Sequence, residues 1–225
     1  MIKNKKQFRI SLTILILTTI CYISFQYYSN YKKKENYKRV IVAELKSGLW
    51  FIEEVFNKDI DVLKKEIDSH FRSFLEGDSN LNEQELWRLR IEINSSFMGL
   101  QSPSEYLRNE SWKSSKQSGI LAQFSIHELE QLNLAHSRRK KLIETEKISQ
   151  KFGFISPSFN TTFSREISKI ELEIIYRKYQ KVLLDYSSIA RRTSFEYSNA
   201  MNILDPENKY LKHLDSLRLI QTSGN

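Results

Sequence analysis

Ten apolar residues, Ile41, Leu45, Leu49, Ile52, Phe56, Ile60, Leu63, Ile67, Phe71 and Phe74, follow one another at spacings of four, four and three, three times over. That eleven-residue repeat has a period of about 3.67, close enough to the 3.6 of an α-helix to hold all its members on one nearly straight stripe. The pattern predicts a helix from about residue 32 to Leu75, stopped by Gly77. A second apolar face, Ile167, Ile170, Ile174, Val182, Tyr186, Ile189, Thr193, Tyr197 and Met201, predicts a partner of similar length at about 163 to 203.

Between these two, start and stop signals mark shorter helices at about 82 to 98, 103 to 118 and 126 to 152, with a last one at 206 to 221. Ser102-Pro103-Ser104-Glu105 and Ser125-Ile126-His127-Glu128 read as capping boxes, the first with proline at the opening helical position, and Asp205-Pro206 opens the final helix in the same way. Gly77, Gly99, Gly119 and Gly153 punctuate the ends. No stretch alternates as a half-buried strand would. The expected fold class is all-α: an N-terminal transmembrane helix, then an antiparallel bundle with two long helices crossing at about 20°.

The transmembrane reading comes from residues 10 to 28, ISLTILILTTICYISFQYY, which carry no charge. At 1.5 Å per residue they span about 28 Å, close to the hydrocarbon thickness of a bilayer. Tyr22, Phe25, Tyr27, Tyr28 and Tyr31 gather at the distal end, where amphipathic rings sit at headgroup level, and Lys32, Lys33 and Lys34 follow. QYYSNY offers no small-x-small site for cleavage of a signal peptide, and Ile20 before Cys21 argues against a lipoprotein signal. The chain therefore divides into a basic tail (1–8), a span (9–28), a basic segment (29–40), a bundle domain (41–221) and a short C-terminal tail (222–225). If the span and the apolar stripe share one helix, anchor and core are rigidly coupled.

Charge sharpens this picture. Of 35 basic residues, nine lie at or before residue 39 against a single acid, Glu35, so the whole net charge of +8 sits on the flanks of the span and the remaining 26 bases and 26 acids cancel. A neutral domain lacks the positive footprint of nucleic-acid binding. Four basic residues precede the span and five follow it, a near tie under the positive-inside rule. A short, highly charged tail resists export, which tilts the expectation towards an internal N-terminus, with the bundle outside the cytoplasm of a bacterial cell and the span in its inner membrane.

Little in the domain points to catalysis. His70, His127, His136 and His213 are spread over three predicted helices without an HExxH pair, and Cys21, the sole cysteine, lies within the span. Glu53, Glu54, Glu144 and Glu146 stand beside lysines at helical spacing and read as solvated faces. No phosphate loop, nucleophile elbow or dinucleotide fingerprint is present. No catalytic residue, metal, cofactor or small-molecule substrate is expected. Trp50, Trp87 and Trp112 read as core residues, and the Asn-x-Ser/Thr triplets at Asn94, Asn109 and Asn160 are expected by chance in a chain this rich in Asn and Ser.

Two basic groups remain as candidate contacts. Lys32, Lys33, Lys34, Lys38 and Arg39 are placed to meet anionic lipid beside the span. Arg138, Arg139, Lys140 and Lys141, with Arg191 and Arg192, form a candidate partner surface. The layout of basic tail, single anchor and long first helix, followed by Trp112-x6-Gly119-Ile120-Leu121 and a capped helix bearing Leu129 and Leu132, resembles uncharacterised bacterial single-pass membrane proteins with a helical-bundle domain. The resemblance implies an anchored bundle and carries no activity. The expected role is a non-enzymatic interaction, adaptor or sensor-like module with a protein partner or a second copy of itself. The alternatives are a structural or assembly component of an envelope complex and, least favoured, an enzyme or metal protein.

Overall fold

The computed structural model describes residues 2–76, 82–154 and 168–212, and among them every regular element is helical. One helix runs without interruption from residue 2 to residue 75: α1 (Ile2–Trp50), a π-helical turn (Phe51–Phe56) and α2 (Asn57–Leu75). At 1.5 Å per residue its length is about 110 Å. Then follow α3 (Glu83–Met98), α4 (Pro103–Tyr106), α5 (Glu110–Gln117), a 3-10 turn (Ile120–Gln123), α6 (Ile126–Phe154) and α7 (Lys169–Leu204).

The long helix has two unlike halves. From residue 12 to 28 every side chain is exposed, within a helix that by length and composition can cross a membrane. From Ile41 onward the stripe is buried as its spacing predicts: Ile41, Leu45, Ile52, Phe56, Ile60, Leu63, Ile67 and Phe71 are each at most 2 % exposed. Each such side chain contributes roughly 1.5–3 kcal/mol on leaving water. Leu49 and Phe74 are only partly buried, at the margins of two core clusters.

α7 runs back along this helix. Tyr176 meets Asp68, Ser194 meets Glu53, and Tyr197 packs on Gly48, so each step up one helix is a step down the other. α6 lies beside α7 and parallel to α1. Glu128, near its start, reaches Lys34 and Lys38, while Glu146, near its end, takes the Ser102 hydroxyl and the Ser104 amide beside α4, whose Tyr106 stacks on Phe51 at 4.7 Å. α3 packs on α2 to close the distal cluster of Leu89, Ile93, Phe97, Leu172, Tyr179 and Leu183.

Several sequence expectations change. The single helix expected at 103–118 is two, because Leu107 leaves helical geometry (φ −85°, ψ 86°), buries its side chain and gives its carbonyl to Arg139 at 2.6 Å. Ser102 does not cap α4, since its hydroxyl is turned to Glu146. Gly153 does not stop α6, which continues to Phe154, and Gly99 is right-handed (φ −74°). Among the described residues Gly119, at φ 70° beyond α5, and Asn208, at φ 54°, use the left-handed conformation. Asp205 does cap a helical turn, but that turn begins at 209, its carboxylate accepting the amides of Lys209, Tyr210 and Leu211. Gly77 and Ile167, and the greater part of the helix expected at 206–221, lie outside the described residues.

Trp50 and Trp87 are not core residues: they are 56 % and 63 % exposed, whereas Trp112 is buried. Ile170 and Ile174 also face outward; Tyr186, Thr193, Tyr197 and Met201 of the expected face are buried, and Leu172, Tyr179, Leu183, Ala190 and Leu204 complete the buried face of α7.

Gly48, buried near the end of α1, lets α7 approach closely. A Cβ there would stand 2.5 Å from Cε2 of Tyr197 and 3.2 Å from Cδ2 of Leu107. Alanine in place of an interior helical glycine usually stabilises by up to about 1 kcal/mol. Here Gly48→Ala should reverse that sign and cost about 1–3 kcal/mol, because the Tyr197 ring is itself buried and has no room to retreat. Chemical denaturation of the full chain checks it; a stabilised variant would rule out this packing.

Candidate functional site

The distinctive constellation forms where the exposed half of α1 gives way to the buried half. Lys34 and Lys38 are one turn apart and so share a face of the helix. Both ammonium groups reach Glu128, Lys34 at 3.3 Å and Lys38 closer still, and both lie over the ring of Phe124, at 5.4 and 6.0 Å. Glu128 sits at the third position of α6 and also completes its capping box: its carboxylate accepts the Ser125 amide at 2.7 Å, and its own amide donates to the Ser125 hydroxyl at 3.2 Å. One carboxylate thus ends α6 and ties that end to α1. Burial pushes the Glu128 carboxyl up, but the hydrogen bond from Lys38, the Ser125 amide and the charges of both lysines outweigh it and hold it below the usual carboxylate range.

Neighbouring faces of the same turns make further contacts. The Tyr210 hydroxyl donates to the Glu35 carboxylate, and Tyr210 is held there by the three amides gathered on Asp205. Burial, with the carboxylate it serves, raises the Tyr210 phenol well above its ordinary value and keeps it a donor. The hydroxyls of Tyr37 and Ser114 approach to 3.3 Å, and Glu44 accepts the Ser111 amide at 3.0 Å. Within about three turns, α1 is fastened to α5, to the start of α6 and to the 205–211 turn. This arrangement, the clasp, holds the orientation of the exposed half-helix relative to the bundle.

The basic residues singled out from sequence divide accordingly. Lys34 and Lys38 belong to the clasp, while Lys32, Lys33 and Arg39 stay exposed, Lys32 lying over the Tyr28 ring at 4.7 Å. In the second group Arg139 turns inward to the Leu107 carbonyl and Arg138 is half-buried, whereas Lys140, Lys141, Arg191 and Arg192 are exposed. Glu53 receives the Ser194 hydroxyl, and Glu54 pairs with Lys58 at 2.8 Å. Glu144 pairs loosely with Lys140, but Glu146 is buried, against its reading as a solvated residue. Among the described residues no three His, Cys, Asp or Glu side chains converge as a metal site would need.

The sequence reading gave no site role to Glu35, Phe124 or Tyr210 and took Asp205 only as a helix cap. Glu128 was legible as a cap, but its second role depends on a pairing across about 90 positions, for which a single sequence carries no signal. An open groove of about 560 Å³ between α2 and α3 was also missed; Asp59, Val62, Glu66, His70, Ile91 and Glu92 line it. Its trace is Val62 and Ile91, apolar residues off the stripe and about half exposed.

His136 stacks on Trp112 with ring centroids 4.6 Å apart, and neither ring nitrogen finds a partner. Burial, aided by the charges of Arg139 and Lys116, lowers its pKa to about 3, so it is neutral when folded. Because the unfolded chain takes up a proton below about 6.5 and the folded one does not until about 3, stability rises with pH across that interval. Between pH 7 and pH 5 the loss should be about 2 kcal/mol. His136→Phe keeps the stack and should flatten that slope; an unchanged slope in pH-dependent denaturation would place the titration elsewhere.

No family model, curated protein or solved structure matches the chain.

Proposed function

We propose that this chain is a single-pass, membrane-tethered interaction module, an adaptor or sensor-like bundle without catalytic chemistry. In this reading residues 9–28 span a bacterial inner membrane and the bundle meets a protein partner or a second copy outside the cytoplasm. The observation that carries the proposal is the passage of one helix from an exposed apolar half into a buried core, with the clasp at the transition. A flexible tether would need neither. A rigid joint lets a change in the anchor's tilt or depth reach the bundle, and lets the bundle's engagement reach the anchor.

A second reading, a structural brace within an envelope complex, draws on the same helix as a stiff spacer of about 110 Å. Replacing residues 10–28 by an unrelated apolar span separates the two: a brace should tolerate the exchange, and a transmitter should not. The primary test is reporter fusion after Asn225 combined with crosslinking in intact membranes. An external reporter and a discrete crosslinked species are expected. Monomer alone, with no co-purifying protein, would overturn the interaction reading.

A further inference from the structure

We infer that the base of the bundle is a second membrane contact, seated on anionic lipid headgroups through Lys32, Lys33, Lys209 and Lys212 around an exposed Ile126. The inference rests on the proposal that residues 9–28 span the bilayer, and it concerns what the folded domain then does at the surface.

Position comes first. Tyr210 is hydrogen-bonded to Glu35, which fixes the 209–212 turn beside the segment following the span. Glu35 lies seven residues beyond Tyr28, about 10 Å along the helix. That is slightly more than one Debye length, about 8 Å at physiological salt, from the headgroup level. α6 begins at the same level and rises away from it: Glu128 meets Lys34 and Lys38, whereas His136, two turns on, stacks on Trp112, next to the Ser111 that holds Glu44. The first turn of α6 is therefore its membrane-facing end.

Chemistry follows. Glu35 and Glu128 are taken up by Tyr210 and the clasp lysines, and Asp205 by three backbone amides, which leaves Glu207 as the exposed acid of the 205–212 turn. Lys32, Lys33, Lys209 and Lys212 are all exposed, and none has a carboxylate partner among the described residues. Ile126, between buried Phe124 and buried Glu128, is 77 % exposed. An exposed isoleucine at the same end of the bundle as these lysines fits an interface where apolar side chains enter beneath anionic phosphates. The clasp removes Lys34 and Lys38 from lipid and, by folding back the 205–212 turn, supplies Lys209 and Lys212 in their stead.

The test uses the full chain in nanodiscs of phosphatidylcholine with and without phosphatidylglycerol. Ile126→Cys in a Cys21→Ser background carries an environment-sensitive fluorophore, and lipids spin-labelled near the headgroup serve as quencher. Native Cys21, labelled separately and read with lipids spin-labelled along the acyl chain, reports on the span. We expect the fluorophore at 126 to lose about half its intensity to the quencher only when phosphatidylglycerol is present. Lys209→Gln and Lys212→Gln should each weaken seating by about five-fold, as should raised salt. A quenched label at 21 with a water-exposed label at 126 in both lipids would overturn the inference and leave the span intact. An unquenched label at 21 would instead overturn the spanning proposal. Quenching at 126 that ignores lipid charge and salt would replace headgroup recognition with simple proximity.

Discussion

Replacing Glu128 by lysine should release the base of the bundle from α1, at a cost of about 3–5 kcal/mol. The carboxylate is buried, and the Lys34 and Lys38 side chains are only 21 % and 14 % exposed, so a third cation would leave three positive charges facing one another with little water to screen them. The capping box of α6 would fail at the same time, since the Ser125 amide would lose its acceptor. Glu128→Gln separates the two effects: glutamine still caps, so its cost of roughly 1–2 kcal/mol measures the charge contribution alone. Adding Lys38→Glu to Glu128→Lys should recover part of the loss, a coupling that a double-mutant cycle quantifies. Chemical denaturation gives the energies. Hydrogen exchange should show early opening of residues 125–130 while the distal cluster around Ile67 and Ile93 keeps its protection. Uniform loss of protection would mean that the clasp is no separate unit.

What the sequence made legible here follows from the range of each interaction. The stripe from Ile41 to Phe71 is local periodicity, and it buries as expected. The Ser125–Glu128 cap spans four residues and forms as read. The partners of Lys34, Glu35 and Tyr37 lie far along the chain and were invisible. Lys34 and Lys38 were therefore read only as candidate lipid contacts, with no sign of the tertiary ion pair they make. The misplacement of Trp50 and Trp87 has a different cause: hydrophobicity states what a side chain tolerates, whereas the face it occupies is set by the register of its helix. Gly48 went unread, since glycines were weighed only as helix ends and this one marks contact between two helices.

The π turn was hidden for a subtler reason, and it leads to the largest contrast we expect. A stripe of period 3.67 on a helix of 3.6 drifts sideways by roughly 60° between Ile41 and Phe74. A wider turn winds through less angle per residue and brings the stripe back. The turn at Phe51–Phe56 does so with one residue more than an α-turn would use, its exit marked by the Asn57 amide reaching Ile52, five residues back. The extra residue also lets adjacent Phe51 and Ile52 both turn inward, Phe51 against Tyr106. Deleting exposed Glu54 should therefore be tolerated, because the turn can close as α-helix with both halves near their present register. The expected cost is about 1–2 kcal/mol, mostly the Phe51–Tyr106 stack. Deleting exposed Lys65 from α2 offers no such slack. It rotates everything beyond by about 100°, takes Ile67 and Phe71 off the core, and should cost about 4 kcal/mol or more. Equal costs for the two deletions in denaturation experiments would mean that the π turn stores no removable residue. A cheap Glu54 deletion would mean that the helix joining clasp and distal core holds one spare residue.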